Sequence, residues 1–380
     1  MRSKLSFVIN EYSFFKSHRL CLAQSLSKHY YVQIITDLSG VDVKELDEIS
    51  NENLEFLHLR KRKASLNPVK FFQFVFKLNS TLKNHAPKYI FFVSLENCFI
   101  GSFISKFLLS KNNFFLITGL QTIISPESIK GHLRKKIYKA AFSKLDNQNR
   151  SNTFIFQNKF DQADFLEFLP NIEHALIEGN GIDLNQFNYI DRFNDNNDEN
   201  TKFLFASKLL KDKGLEEFLD ASLYIKSKYS NCSFNIAGQF DPSNNQSISK
   251  NSFEMISEHP DLNYHGYIPN SDMNQLLEKH HILVLPSYRE GLPAAVIEAA
   301  ATGMPLIVTN VPGCSSLVED NKNGYLIKPR SSSSIIEAME KILKNKARLR
   351  EFGKYSNHMI MKRFSIEKIA QEYLDLINQC

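Results

Sequence analysis

Short, uniformly apolar segments alternate with amphipathic ones along nearly the whole of this 380-residue chain, and that alternation leaves few folds open. The first series runs LSFVIN (residues 5–10), a helical pattern over 17–28, VQIIT (32–36), the helix-like NPVKFFQFVFKLNSTL, YIFFVS, a helix near 100–109 and NFFLIT. TFIFQN (153–158) and HALIEGNGID (174–183) continue it. Strands apolar on both faces need cover on both faces, which is the property of a parallel sheet between two layers of helices. A second series repeats the scheme: KFLFAS, a helix over 214–229, SFNIAG, a helix near 273–279, HILVLPS, a helix over 292–302, PLIVT and YLIKP. Between the two lies DRFNDNNDENT, residues 191–201, with almost no apolar content. Such a stretch reads as a linker. The pattern therefore predicts an α/β chain of two similar domains, residues 1–190 and 202–362, joined by the polar linker 191–201. A last helix within 363–380 is free to pack on either domain, including back on the first. A length of 380 suits two domains.

Composition narrows the class. With 43% hydrophobic and 23% charged residues the chain is ordinary globular material. Cys21, Cys98, Cys232, Cys314 and Cys380 are odd in number and form no C-x-x-C pair, which argues against a disulfide scaffold or structural zinc and for a reducing compartment. Arg2 and Lys4 lead into an apolar stretch of only five residues, 5–9, too short for a secretory signal. The most apolar region, 89–120, is interrupted by Glu96, Lys106 and Lys111 and holds no spanning helix. A soluble protein, or one lying on a membrane, is expected. Charge is lopsided: residues 1–150 carry 23 Lys/Arg and 11 Asp/Glu, a balance of +12, whereas the remainder carries −7. The two halves should meet different partners.

Several chemical signatures are missing: the G-x-x-x-x-G-K-[ST] phosphate loop, G-x-G-x-x-G after a strand, H-E-x-x-H and G-x-S-x-G. His280 and His281 are adjacent and would not share a helix face, so no metal site is expected. In open α/β sheets ligands bind beyond the carboxyl ends of the strands. Two loops there carry charge. In PSYREGLPAAVIEAAATGMPLIVTNVPG (286–313), Glu290 ends a strand-to-helix loop and Glu298 falls about two turns into the following helix, a spacing that can turn both carboxylates to one side. The N–H groups of Gly291 and Leu292 would lie at that helix N-terminus, which favours an anion. In ASKLLKDKG (206–214), Lys208 and Lys213 flank a helix entry and suit a diphosphate. Each motif alone is also what a capped helix or a solvated loop looks like.

Together, PSYREGLPAAVIEAAATGMPLIVTNVPG, ASKLLKDKG and NGYLIKP resemble the retaining glycosyltransferases of family 4, and ITGLQTI, FQNKFDQADF and GNGIDLNQF resemble a bacterial subgroup that builds capsule, O-antigen or lipid-linked oligosaccharide chains. The resemblance spans nearly the whole chain. It implies the GT-B fold, two Rossmann-like α/β domains facing across a cleft. It implies a retaining, metal-independent hexosyltransferase that moves a hexose or N-acetylhexosamine from a nucleotide-diphosphate donor, uridine diphosphate above all, to a lipid-linked or saccharide acceptor. No cofactor follows from it, because the nucleotide sugar is a substrate; D-x-D is also absent from the sequence. Glu290 matches the first glutamate of the E-x7-E motif, near the transferred sugar, and Glu298 the second, on the ribose hydroxyls. Lys213 matches the lysine that neutralises the diphosphate, with Lys208 and Ser207 beside it. Gly291 and Leu292 offer N–H groups, Pro312 and Gly313 close the pocket, and Tyr267 and Ile268 fall in HGYIPN, where the family places its base-contacting backbone. Two departures stand out. Lys208 replaces an arginine, keeping charge but losing the bidentate fork. The glycine-rich loop after the first strand is absent, INEYSFFKSHR standing instead, so that Ser17 or His18, with Asn10, Thr118 and Gly119, form the acceptor-side set. The location implied is cytoplasmic or peripheral on the cytoplasmic face of the inner membrane.

No acidic residue occurs between Glu55 and Glu96, while Arg60, Lys61, Arg62, Lys63, Lys70, Lys77, Lys83 and Lys88 do; Lys130, Arg134, Lys135, Lys136 and Lys139 form a second basic group. Anionic membrane lipid or a diphosphate-linked lipid would be drawn to such a surface. Within 67–82, Val69, Phe72, Val75, Phe76 and Leu82 read as one apolar stripe that packs on the sheet. No recognition motif supports nucleic-acid binding. The alternatives to an enzyme and to a hydrolase are weaker fits: a non-catalytic sugar-nucleotide or carbohydrate-binding protein on the same scaffold leaves Glu290, Glu298 and Lys213 without a task, and a glycosidase carboxylate pair leaves the lysine loop without one.

Overall fold

The computed structural model describes residues 2–60, 68–105, 112–120, 129–143, 145, 151–193 and 200–380. The chain divides into two compact units: unit 1 comprises residues 1–181 and 366–380, unit 2 residues 182–365.

In unit 1 the order is β1 (Lys4–Glu11), α1 (Tyr12–His18), α2 (Leu20–Ser27), β2 (Tyr31–Asp37), α3 (Val43–Ile49), β3 (Leu54–His58), α4 (Pro68–His85), β4 (Tyr89–Val93), α5 (Leu95–Ile104), β5 (Asn112–Ile117), α6 (Ile129–Phe142), β6 (Ser151–Phe156), α7 (Lys159–Phe168) and β7 (His174–Leu176). The strands form one sheet in the order β3-β2-β1-β4-β5-β6-β7, every pairing parallel. Because successive side chains alternate between faces, the central strands feed two cores. Phe7, Phe91 and Phe114 stack across β1, β4 and β5 on one face, with centroids 5.0 and 4.5 Å apart. Phe92, Phe115 and Phe154 stack on the other, at 5.5 and 5.0 Å. These ladders account for strands that read as unbroken apolar runs.

Unit 2 follows as β8 (Thr201–Ala206), α8 (Leu215–Lys228), β9 (Cys232–Ala237), α9 (Lys250–Glu258), β10 (Leu262–Gly266), α10 (Met273–Glu278), β11 (Ile282–Leu285), α11 (Ala294–Ala301), β12 (Leu306–Thr309), β13 (Gly324–Ile327), α12 (Ser332–Lys344) and α13 (Leu349–Phe364). Its parallel sheet runs β10-β9-β8-β11-β12-β13. Phe203 and Phe205 face one core with Ile282 and Val284, and Leu204 and Ala206 face the other with Leu283 and Leu285. In each sheet the strand order reverses once, at β1/β4 and at β8/β11, the switch points where open α/β sheets take ligands.

Several expectations need correction. The pattern over 17–28 is two helices broken at Arg19, whose φ of −131° leaves the helical region. The helix near 100–109 begins at Leu95, and residues 106–109 lie outside the described set. Elements α3, β3, α6, α7, α9, β10, α12 and α13 had no place in the sequence reading. The first unit ends at Gly181, not at 190: Ile182 and Phe187 are buried in the core of unit 2, and Arg192 donates to the Thr302 carbonyl at 2.8 Å. The described ends of the polar stretch, 191–193 and 200–201, thus belong to unit 2, and residues 194–199 lie outside the description. At the other end α14 (Ile366–Asn378) belongs to unit 1, where Ile369, Tyr373 and Ile377 join the core shared with α2 and β1. No helix among the described residues is long and apolar enough to cross a membrane.

Candidate active site

The two charged loops of unit 2 follow β8 and β11, the strands that meet at its switch point. After β8 the chain makes a single 3-10 turn, Lys211–Lys213, ended by Gly214 at φ +71°. A Cβ there would lie 2.2 Å from the Pro286 carbonyl oxygen, so only glycine lets this loop lie against the end of β11. The Tyr288 N–H then donates to the Asp212 carbonyl at 2.8 Å, tying one loop to the other.

This seam brings Lys213 to Glu290: Nζ donates to Oε1 at 2.7 Å, with side-chain exposures of only 18% and 13%. Ser287 Oγ donates to the same oxygen at 2.8 Å. The carboxylate is fixed from two sides, and a cation is held where water has little access and charge interactions are stronger than in bulk. Gly313, at φ +84°, backs the same loop: a Cβ would meet the Gly291 carbonyl oxygen at 2.2 Å and that of Glu290 at 2.7 Å. Pro312 beside it is exposed.

Glu298 behaves differently. It makes no side-chain hydrogen bond or ion pair among the described residues, and burial pushes its carboxyl up to about 7. It sits about one turn into α11, not two, because that helix starts at Ala294 with Pro293 as its extended N-cap. The residue before a proline avoids the α region, so the helix cannot reach back over Leu292. Gly291 and Leu292 therefore precede the helix instead of forming its first turn. Nearby, burial raises the Cys314 thiol to about 12, with the Glu290 charge adding to the effect. That thiol stays protonated.

Of the remaining donor-side candidates, Lys208 is exposed and makes no side-chain bond or ion pair among the described residues. Ser207 pairs through its N–H with the Ala237 carbonyl at 3.1 Å. Tyr267 stands exposed just beyond β10, whereas Ile268 packs on the core. His280 is a core residue, its Nδ1 2.6 Å from the Leu276 carbonyl and its pKa lowered to about 4 by burial. Among the described residues no cluster of three or more His, Cys, Asp or Glu could hold a metal ion.

In unit 1 the acceptor-side candidates sit near the carboxyl ends of strands. Asn10 Nδ2 donates to Glu96 Oε2 at 3.1 Å, joining β1 to the start of α5 across the switch point. Ser17 and His18 are engaged locally, Oγ to Nδ1 at 2.5 Å, with the imidazole stacked on Phe14 at 4.7 Å. Thr118 and Gly119 follow β5, half-buried. The sequence reading missed Ser287, Glu96 and Ser94. Ser94 holds φ +82°, with a buried hydroxyl that lacks a hydrogen-bond partner among the described residues. A serine between YIFFV and a helix carries no sign of a left-handed backbone.

Two Rossmann-like units, each a doubly wound parallel sheet, have the architecture of the GT-B fold. Over its full length the chain is similar to sucrose-phosphate synthase from Thermosynechococcus elongatus, with a TM-score of 0.79 and 18% identity, covering 100% of this chain and 99% of that one. Residues 187–359, a little under half of the chain, match the family described as "Glycosyl transferases group 1". In sequence it is 27% identical over 332 residues to the N,N'-diacetylbacillosaminyl-diphospho-undecaprenol alpha-1,3-N-acetylgalactosaminyltransferase of Campylobacter jejuni, covering 83% of this chain and 84% of the relative. Over a shorter stretch of 111 residues it is 33% identical to the UDP-Gal:alpha-D-GlcNAc-diphosphoundecaprenol alpha-1,3-galactosyltransferase of Escherichia coli, covering 28% of each chain.

Proposed function

We propose that this enzyme transfers a hexose or N-acetylhexosamine, with retention and without a metal ion, from a uridine-diphosphate donor to a diphosphate-linked polyprenyl saccharide in bacterial surface-glycan synthesis. The observation that carries the reading is the half-buried Lys213–Glu290 pair at the β8/β11 switch point. As the bond from sugar carbon to diphosphate oxygen breaks, negative charge grows on the leaving diphosphate. Lys213, exposed Lys208 and the N–H groups of Gly291 and Leu292 are the groups available to take it up. Glu290 lies at the sugar and Glu298 at the ribose hydroxyls. The acceptor hydroxyl attacks the anomeric carbon on the face the diphosphate leaves, and its proton passes to the departing phosphate. The lipid-linked acceptor and uridine donor rest on the names of the Campylobacter and Escherichia relatives.

The test is transfer from a panel of uridine-diphosphate sugars to a synthetic diphosphate-linked polyprenyl saccharide, with and without a chelator. Activity with one donor, unchanged by chelator and reduced roughly 10²–10³-fold by Lys213→Ala or Glu290→Gln, is expected from the loss of one charge-stabilising group. Full activity in either variant would overturn the site, and dependence on added metal would overturn the mechanism.

A further inference from the structure

Tyr288 has no part in the donor or acceptor sets, yet three segments of unit 2 hold it in place. Its N–H bonds the Asp212 carbonyl at 2.8 Å, so its backbone is tied to the 3-10 turn after β8. Its phenol donates to Glu217 Oε1, in the first turn of α8. Over its ring stands the Arg330 guanidinium, 4.8 Å from the centroid, close enough for a cation to be attracted to the aromatic face. Arg330 follows β13 and holds φ +57°, an uncommon backbone for a residue with a side chain. Stability alone does not account for this clamp. Glu217 Oε2 is buried without a hydrogen-bond partner among the described residues. A carboxylate oxygen taken out of water in that way is costly, and an apolar pair of similar volume would serve folding as well.

What the clamp fixes is the Glu290 carboxylate, through both of its partners. Ser287, fully buried, donates to Glu290 Oε1 at 2.8 Å, and its own carbonyl accepts from Thr309 Oγ1 at the end of β12. Tyr288 is the next residue along the chain, so a shift of Tyr288 carries Ser287 with it. The Asp212 carbonyl that Tyr288 bonds belongs to the residue before Lys213, the second partner of Glu290. One side chain anchored on α8 thus governs where both groups that hold the carboxylate stand. Burial and the Glu217 carboxylate raise the phenol's pKa, which keeps the hydroxyl protonated as a donor. We infer that Tyr288, locked by Glu217, is a positioning residue for the transfer reaction and acts through Lys213 and Glu290. The inference rests on the transfer reading given above.

The experiment is steady-state transfer by the full chain from a uridine-diphosphate sugar to the synthetic polyprenyl acceptor, with kcat and donor KM measured apart. Tyr288→Phe keeps the ring beneath Arg330 and removes only the hydroxyl. It should lower kcat about tenfold and leave donor KM within about twofold, because a slightly displaced group loses its transition-state contact before ground-state binding suffers. Glu217→Gln keeps an acceptor for the phenol and should stay within about threefold of the wild type, whereas Glu217→Leu should match Tyr288→Phe. The double variant Tyr288→Phe/Glu217→Leu leaves no polar atom of the pair unpartnered, and urea denaturation checks that it folds. It should be no slower than either single variant, since both substitutions break the same bond. A wild-type kcat in Tyr288→Phe, a rise in KM alone, Glu217→Gln as slow as Glu217→Leu, or losses that multiply in the double variant would overturn the inference. Lys213→Ala separates it from the transfer reading. If that variant loses transfer while Tyr288→Phe does not, only the positioning role falls; if it keeps full activity, the site and the positioning role fall together.

Discussion

Replacing Glu298 with glutamine removes a carboxyl that the fold holds at about 7 against an ordinary value of 4.5. The cause is burial, which favours the protonated form, so the folded-state value lies above the unfolded one. Below about pH 4.5 both states are protonated and the carboxyl costs nothing. Between 4.5 and 7 the unfolded chain gives up its proton while the folded chain keeps it, and stability falls; above 7 the penalty levels off. A rise from 4.5 to about 7 amounts to about 3 kcal/mol against the ionised form. This is an upper bound, since the side chain is only half-buried and water screens part of it. Glutamine cannot ionise. Chemical denaturation of the wild type and Glu298→Gln across about pH 4.5 to 7.5 should therefore show a difference that grows in favour of the variant towards ~3 kcal/mol, equivalent to roughly 6–12 °C in the midpoint of a unit this size. Parallel curves would refute the argument. The same titration gives a functional readout. Ribose hydroxyls that donate to the ionised carboxylate would lower its pKa, so affinity for a nucleoside diphosphate should rise with pH in the wild type relative to the variant. Titration of the phosphates is common to both proteins and cancels in the ratio.

Gly313→Ala should lower stability by more than the ~1–2 kcal/mol of a left-handed residue alone and abolish transfer, because its Cβ must displace the Glu290–Gly291 backbone. Gly266→Ala, at φ +70° with open space around it, should cost only that conformational term, so equal losses in the two denaturation curves would refute the close-packing argument. Arg19 is fully buried, its three side-chain nitrogens lack hydrogen-bond partners among the described residues, and burial lowers its pKa. Arg19→Met should accordingly be neutral or stabilising, by up to about 4 kcal/mol in urea denaturation, and a clear destabilisation would refute this. Ending the chain at Ser365 removes the fully buried Ile369, Tyr373 and Ile377 from unit 1. At about 1.5–3 kcal/mol each that approaches the whole stability of a domain, so limited proteolysis should digest unit 1 first, and protection equal to that of the full chain would contradict it.

The doubly wound architecture was readable because its central strands are buried on both faces, so that each appears as an apolar run with no competing interpretation. The lysine and glutamate loops were readable because the rule for parallel sheets directs attention to strand ends. What escaped the sequence shares a different cause. Periodicity reports that a helix has an apolar face but not what covers it. The stripe on α4 mixed Val75 and Leu82, which reach the core, with Phe72 and Phe76, which do not, and only the position of the sheet separates them. The same limit left α14 without an assigned unit.

The unit boundary failed for a related reason. Residues 182–190 follow directly on a strand-like segment and precede a polar stretch, so composition assigns them to the first domain. Their anchors are instead Ile182, whose N–H donates to the Phe364 carbonyl at 2.8 Å, and Phe187, buried under α11 and α13. A polar stretch records where a chain is solvated, whereas a boundary records where core contacts change sides. The two coincide only when the linker itself carries no apolar anchor. Here the chain changes cores at Gly181 and again after Ser365, and neither place lies in the polar stretch 191–201. The reliable sign of such a crossing is a paired one. Ile182 and Ser365 bridge as parallel neighbours, so the outgoing and returning segments are fixed by the same hydrogen-bonded contact in unit 2.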